Sequence, residues 1–287
     1  MTLLQAIILG IVQGLTEFIP ISSTAHLVLA MRAMNLPLTA QQKTASIAVI
    51  QLGTLLAVLI YFARDIWSIS VAFVRDHLSL LKRNNAAGPR LSHEAWLGWL
   101  IIIGTLPVVI VGLLFKKQIE GTLTKNLWVI ATMMVVIAVL LAVAELVSKQ
   151  RKRMEDLGAG DALAVGFAQC LALIPGSSRS GSTIMAGLFA GQKRETAARF
   201  SFLLSIPAVA ASGLLELVEA LHKLPHGSLV SLAVGTIVSG IVGYLSIWFL
   251  LRYLRTHSTG VFIVYRVIVG GLILAALSFG YLAADLR

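Results

Sequence analysis

The sequence predicts an all-α polytopic membrane protein: six full transmembrane helices plus two re-entrant helix–loop–helix hairpins, arranged as an inverted-topology repeat. Three observations predict it. Of 287 residues, 57% are hydrophobic and only 13% charged, about half the roughly 25% charge of a soluble domain, and the mean hydropathy is +0.89. The six runs 43–62, 96–115, 127–147, 198–219, 228–251 and 262–284 each reach the roughly 20 apolar residues that cross a bilayer. Two more apolar stretches, 3–31 and 161–191, are each interrupted by a Pro–Ser cluster. This composition excludes a disordered chain, a disulfide scaffold and a cytosolic enzyme, and the single Cys170 has no internal partner.

The first stretch opens with apolar residues 3–12, which carry no basic flank and precede no small-residue cleavage site, so they are read as structure and not as a signal peptide. It is then broken at Pro20-Ile-Ser-Ser-Thr24. Proline interrupts helical hydrogen bonding, and hydroxyls at membrane depth are tolerated where they line a protein cavity. Residues 3–31 are therefore read as a hairpin that enters and leaves on one side. Spans 43–62 and 96–115 follow, joined by a loop over 63–95, and span 127–147 completes the first half. The second half repeats the plan, with a hairpin over 161–191 broken at Pro175-Gly-Ser-Ser-Arg-Ser-Gly-Ser-Thr183 and then three spans.

Taking the 63–95 loop as cytoplasmic puts 14 Lys and Arg inside and 7 outside. The inner set includes Arg64, Arg75, Lys82, Arg83, Arg90, Lys149 and Arg151; the outer set is Arg32, Lys43, Lys116, Lys117, Lys125, Lys223 and Arg287. This is the direction of the positive-inside rule, and Trp67, Trp96, Trp128, Trp248 and Tyr253 fall near span ends, as interfacial aromatics do. The net charge of +10 thus reflects membrane orientation; without basic–aromatic strips or zinc-ligand spacings, nucleic acid is not expected as a partner.

Gly10-Ile-Val-Gln13 matches Gly166-Phe-Ala-Gln169, Ile19-Pro-Ile-Ser-Ser23 matches Ile174-Pro-Gly-Ser-Ser178 after a one-residue slip, and the segment Gly104–Gly112 aligns with Gly235–Gly243. Each half, about 1–147 and 158–287 of one membrane domain spanning 1–287, holds one hairpin and three spans. An odd number of crossings inverts the second half, so the two broken hairpins can meet near the bilayer midplane.

Chemistry is expected where charge lies at membrane depth. A carboxylate there costs several kcal/mol unless it faces a cavity with partners, about 2.5–3.5 on the low-end scale, and Glu17 lies inside the first stretch. Gln13 is four residues earlier on the same helical face, and His26 follows the turn and can fold back toward the carboxylate. The second break holds Arg179 among Ser177, Ser178, Ser180, Ser182 and Thr183, with Gly176 and Gly181 freeing the backbone to aim N–H groups at an anion. A helix starting near Ser180 would add its dipole, and arginine's fork suits phosphate oxygens. Arg266 is the other buried cation, read as bonded to backbone carbonyls or an acid and left out of the site. His77, His93, His222, His226 and His257 are read as solvated. The inventory suits phosphoryl chemistry on an amphiphile, and alone could also serve an anion or lipid transporter.

Gln13-Gly-Leu-Thr-Glu17-Phe-Ile-Pro-Ile-Ser-Ser-Thr-Ala-His26 resembles the (E/Q)xxxE segment, with its downstream Ser-Ser-Thr and His, of the bacterial undecaprenyl pyrophosphate phosphatases, the bacitracin-resistance family. Pro175–Thr183 resembles that family's PGxSRSxxT segment at every fixed position. The resemblance implies a multi-pass enzyme of the bacterial cytoplasmic membrane with its cavity toward the periplasmic face. It would hydrolyse undecaprenyl pyrophosphate to the monophosphate, recycling the carrier lipid for peptidoglycan and conferring bacitracin resistance. It also implies a divalent cation, Mg2+ or Ca2+. Carried over by position, Glu17, Ser23, His26 and Arg179 are the catalytic candidates. Gln13, Ser22, Thr24, Gly176, Ser177, Ser178, Ser180 and Thr183 would bind substrate, and Glu17 is the metal candidate. Either Ser23 attacks phosphorus with His26 as base, or His26 or Glu17 activates water. The partners expected are the lipid substrate and membrane lipids, with a homodimer compatible. A polyprenyl-phosphate flippase of the same architecture is the competing function. A phosphatase of the other membrane class is disfavoured, since no Pro-Ser-Gly-His occurs.

Overall fold

The computed structural model describes residues 1–36, 38–81, 91–115, 126–221 and 229–284. Among them the chain forms α1 (Leu3–Phe18), α2 (Ser23–Ala33), α3 (Ala40–Tyr61), α4 (Ala63–Leu81), α5 (His93–Leu114), α6 (Leu127–Val147), α7 (Ala159–Cys170), α8 (Arg179–Phe189), α9 (Arg194–Leu221), α10 (Leu229–Tyr253) and α11 (Gly260–Ser278). Local chemistry sets the starts. Thr2 and Thr39 accept from the N–H of Gln5 and Gln42, whose side chains return a bond to the threonine N–H, capping α1 and α3 reciprocally. Ser92 and Asn126 cap α5 and α6.

Five helices among the described residues are long and apolar enough to cross a membrane: α3 from Gln41, α5, α6, α10 and α11. The run 198–219 lies within α9, whose opening turns carry Arg194, Glu195 and Arg199. Two sequence expectations are corrected. The loop over 63–95 is helical up to Leu81. This α4 packs against α5 through buried Ile69 and Ala72, while Trp67, Val71, Val74 and Leu78 stay exposed. Its interspersed Arg64, Asp65, Arg75 and Asp76 lower the mean hydropathy and hide the helix from a span search, although the apolar residues keep helical spacing. The run 262–284 ends as helix at Ser278. Lys82, Arg83, Arg90, Lys116, Lys117, Lys125, His222, Lys223, His226 and Arg287 lie outside the described residues.

The packing crosses between the halves of the sequence. α1 packs on α10 and α7 packs on α5. A methyl group on Gly10 would stand 2.4 Å from the Gly235 carbonyl oxygen, and one on Gly166 would stand 2.3 Å from that of Gly104. Only glycine lets helix backbones approach this closely. At the outer ends of α7 and α8 the chain returns to itself: Arg151 and Lys152 donate backbone N–H groups to Gly191, and Lys193 donates to Lys152. Nearby, Glu145 pairs with Arg194 and accepts from the Thr259 hydroxyl at 2.7 Å, tying α6, α9 and α11 together. The second broken segment is thereby closed at its outer ends into a helix–turn–helix element.

Candidate active site

The two turns share an uncommon backbone. Ser22, which precedes α2, has φ 79°, and Ser178, which precedes α8, has φ 66°. A non-glycine residue held there costs on the order of 1–3 kcal/mol and persists where its surroundings over-determine it. One surrounding group is Arg266 of α11, fully buried. Its guanidinium donates to the carbonyls of Pro20 in the first turn (3.2 Å), Gly176 and Ser177 in the second (3.0 Å each), and Met134 and Met133 of α6 (3.0 and 3.3 Å). The three nitrogens of one arginine, with Nη2 shared among three carbonyls, thus hold both turns against α6. Of the two partners the sequence allowed for Arg266, backbone carbonyls or an acid, these are the carbonyls. Gly176, at φ +92°, packs so closely on Ile130 that a Cβ would sit 2.1 Å from its carbonyl oxygen, so no side chain fits.

Glu17, at the end of α1, is the hub. Its Oε1 accepts from Arg179 Nη2 of the second turn at 3.0 Å, and its Oε2 accepts from Ser23 Oγ at 3.0 Å and Gln13 Nε2 at 3.1 Å. Glu17 and Arg179 are 10% and 13% exposed, so the pair is desolvated yet reachable. The cluster is incompletely satisfied: Arg179 Nη1, Gln13 Oε1 and the Ser22 hydroxyl are buried without a hydrogen-bond partner. Buried polar atoms of that kind in native structures point to a ligand, ion or water.

His26 behaves differently from the expectation. It does not reach Glu17: Nδ1 lies 2.7 Å from the Ser22 carbonyl, and Nε2 lies 2.7 Å from the hydroxyl of Tyr265 on α11. The group on the Ser23 hydroxyl is the Glu17 carboxylate, not the imidazole. Tyr265 was not legible in the sequence, because the contact joins residues 239 positions apart.

The remaining candidates divide into those at the cluster and those behind it. Ser178 Oγ accepts from the N–H of Gly181 and shares a hydrogen bond with Ser180 Oγ at 3.1 Å, capping α8. That helix begins at Arg179, one residue ahead of the expected start near Ser180. Thr183 is fully buried, bonded to the Arg179 carbonyl at 2.7 Å and to Ser201 at 2.5 Å, and so supports the turn from behind. Ser177 closes its own turn onto Ile174. Thr24 is exposed and joins none of these hydrogen bonds. Among the other histidines, His77 is corrected: it sits in α4, bonded to Phe73 and to the Trp99 indole, not solvated in a loop.

A hard divalent cation prefers oxygen ligands and, in phosphoryl enzymes, one or two carboxylates plus substrate phosphates. No group of three or more His, Cys, Asp or Glu able to hold a metal occurs among the described residues. One carboxylate beside the orphaned Gln13 Oε1 nevertheless suits a cation that completes its shell with phosphate oxygens.

The bacitracin resistance protein BacA family model matches residues 6–272, which include both turns and α11. The chain belongs to this family. Among curated relatives, BacA-family sequences named undecaprenyl-diphosphatase match nearly end to end. That of Syntrophobacter fumaroxidans is 54% identical over 276 residues, 96% of this chain and 97% of the relative. Those of Chlorobium phaeobacteroides strain BS1 and Chlorobium luteolum are each 50% identical, covering 99% and 98% of this chain and 100% and 99% of theirs. The matched region includes Glu17 and Arg179.

Proposed function

We propose that this BacA-family chain hydrolyses undecaprenyl pyrophosphate to undecaprenyl phosphate and inorganic phosphate, recycling the lipid carrier for envelope synthesis and conferring bacitracin resistance. The observation that carries the reading is the convergence of Glu17, Ser23 and Arg179 from two separate turns onto one desolvated cluster with unsatisfied polar atoms. Arg179 and the N–H groups opening α8 attract the diphosphate, and the apolar exterior leaves the prenyl tail in lipid. Ser23 is the nucleophile, and Glu17, bonded to its hydroxyl, takes its proton. The cation, held by Glu17 and Gln13 Oε1, would neutralise phosphate charge and polarise the phosphoryl group.

The architecture proposed for this reaction is six spans, with α9 as the sixth, and two re-entrant hairpins related by an inverted repeat. Supporting it, the aligned glycine pairs exchange partners: Gly10 meets Gly235 while its counterpart Gly166 meets Gly104. The positive-φ serines 22 and 178 recur in both turns, and the flanks of α7 and α8 meet at one end. The proposed setting is the bacterial cytoplasmic membrane, with the site open to the periplasmic face.

The test is phosphate release by purified protein from undecaprenyl pyrophosphate, with and without chelator, in wild type and Glu17→Ala. Release that stops on chelation and in the variant supports the reading. Lipid movement across liposomes without release would return the chain to the transporter class. A finer result is expected from Gln13→Glu. A second carboxylate supplies the charge that glutamine lacks, so half-maximal activation should need several-fold less Mg2+; an unchanged metal titration would remove Gln13 from the metal shell.

A further inference from the structure

Tyr265, which lies outside both turn motifs, forms a linked pair with His26. An imidazole carries one proton when neutral, and the partner of one nitrogen decides the state of the other. The Ser22 carbonyl, 2.7 Å from Nδ1, only accepts hydrogen bonds, so the proton is on Nδ1. In the neutral ring Nε2 is then a lone pair, to which the Tyr265 hydroxyl, 2.7 Å away, is the donor. The rings are stacked, with centroids 5.6 Å apart and 13° between planes, which holds that alignment. Both ring nitrogens are occupied, so His26 exchanges a proton with anything else only through the Tyr265 oxygen. The order carbonyl, imidazole, hydroxyl follows the logic of a hydrolase triad, in which an acceptor fixes the tautomer and the far nitrogen activates an O–H.

Resting on the hydrolase reading above, we propose that Tyr265 is the proton-carrying hydroxyl of the site and His26 the base behind it. His26 and Ser23 lie three residues apart in the first turn of α2 and therefore on one face, and Tyr265 is not closed off by packing, being 39% exposed. In the hydrolytic step a water gives a proton to the Tyr265 oxygen as the phenolic proton passes to His26 Nε2. The new hydroxide oxygen bonds to phosphorus and the bond to the departing oxygen breaks. The imidazolium, held by the Ser22 carbonyl, returns one proton through Tyr265 to the oxygen that left. If Ser23 has already taken the phosphoryl group, with Glu17 taking the Ser23 proton and passing it to the departing lipid phosphate, the departing oxygen in this step is Ser23 Oγ, so the two bases serve the two half-reactions.

The test compares Tyr265→Phe, His26→Ala and the double variant in phosphate release from undecaprenyl pyrophosphate, and reads the His26 ring nitrogens by 15N NMR in selectively labelled protein. Phenylalanine keeps the stacked ring, so Tm should not move and KM should stay within about twofold, while kcat falls about 100-fold, the scale of acid–base catalysis. Because Tyr265 acts with His26 as one unit, the double variant should be no slower than His26→Ala alone. The Nε2 resonance should move when the hydroxyl is removed. Losses that multiply in the double variant, or a wild-type kcat in Tyr265→Phe, overturn the relay. An unmoved Nε2 resonance overturns the hydrogen bond beneath it. Wild-type protein that releases no phosphate while its spectrum shows the bond overturns the hydrolase reading itself.

Discussion

Arg266→Leu is expected to prevent accumulation of a stable, monodisperse protein, the largest stability effect of any single substitution in this chain. Leucine fills much of the space but donates nothing, and the carbonyls of Pro20, Gly176, Ser177, Met133 and Met134 lose the donor they share. Met133 and Met134 keep their helical bonds within α6, but the turn carbonyls of Pro20, Gly176 and Ser177 are left unpaired at about 1–3 kcal/mol each, and water in the bilayer core is not at hand to replace the bonds. Several such losses approach the whole 5–15 kcal/mol by which a folded domain typically exceeds its unfolded state. The two strained serines compound the effect, because the backbone at Ser22 and Ser178 loses a group that holds it. Arg266→Lys should be intermediate: the charge remains, but an ammonium is a point donor that cannot span two turns and a helix. Detergent-purified yield, size-exclusion profile and Tm measure this. Arg266→Leu with wild-type Tm and activity would show that the turns are held by something else.

The same residue shows how much was legible beforehand. A charge inside an apolar run must be satisfied, so Arg266 could be read as bonded to carbonyls, but which carbonyls is a property of the folded chain and not of local spacing. Glu17 and Arg179 were found by that argument, and their separate Pro–Ser breaks were visible because proline and hydroxyl clusters contradict a transmembrane helix. Local rules failed where tertiary structure chose the partner. His26 turned to Tyr265 and to the Ser22 carbonyl instead of Glu17, and a tyrosine in the middle of an apolar span carries no signal of its own. Helix α4 escaped for another reason. Its charged and apolar residues alternate at helical spacing, so a search for unbroken hydrophobic runs passes over it, while an amphipathic pattern would have revealed it. The glycine matches proved informative because Gly10 and Gly166 are both close-approach points, which gives their alignment a physical content beyond composition.

For activity, the largest expected loss is in Arg179→Ala: about 1,000-fold in kcat, with the protein still folding. Arg179 Nη2 is bonded to Glu17, but Nη1 is buried and without a partner, so half of the fork remains for phosphate. Removing one preorganised donor to a developing charge costs on the order of 100–1,000-fold, and arginines that neutralise a transferring phosphoryl group reach about 1,000–100,000-fold. A structural ion pair would also explain a loss, since Ala leaves the Glu17 carboxylate desolvated and unpaired, which is itself strongly destabilising. The two causes separate in the double variant Glu17→Gln/Arg179→Met. That change removes both charges together, so a purely structural pair predicts recovery of Tm and of activity. The catalytic assignment predicts recovery of Tm alone: the diphosphate still lacks its cation and Ser23 still lacks its base, so kcat should remain at the level of the worse single variant. Arg179→Lys, with charge but no fork, should retain more activity than alanine and less than a tenth of wild type. Substantial activity in the double variant would mean that the Glu17–Arg179 bridge only braces the turns, and that the phosphate is held elsewhere.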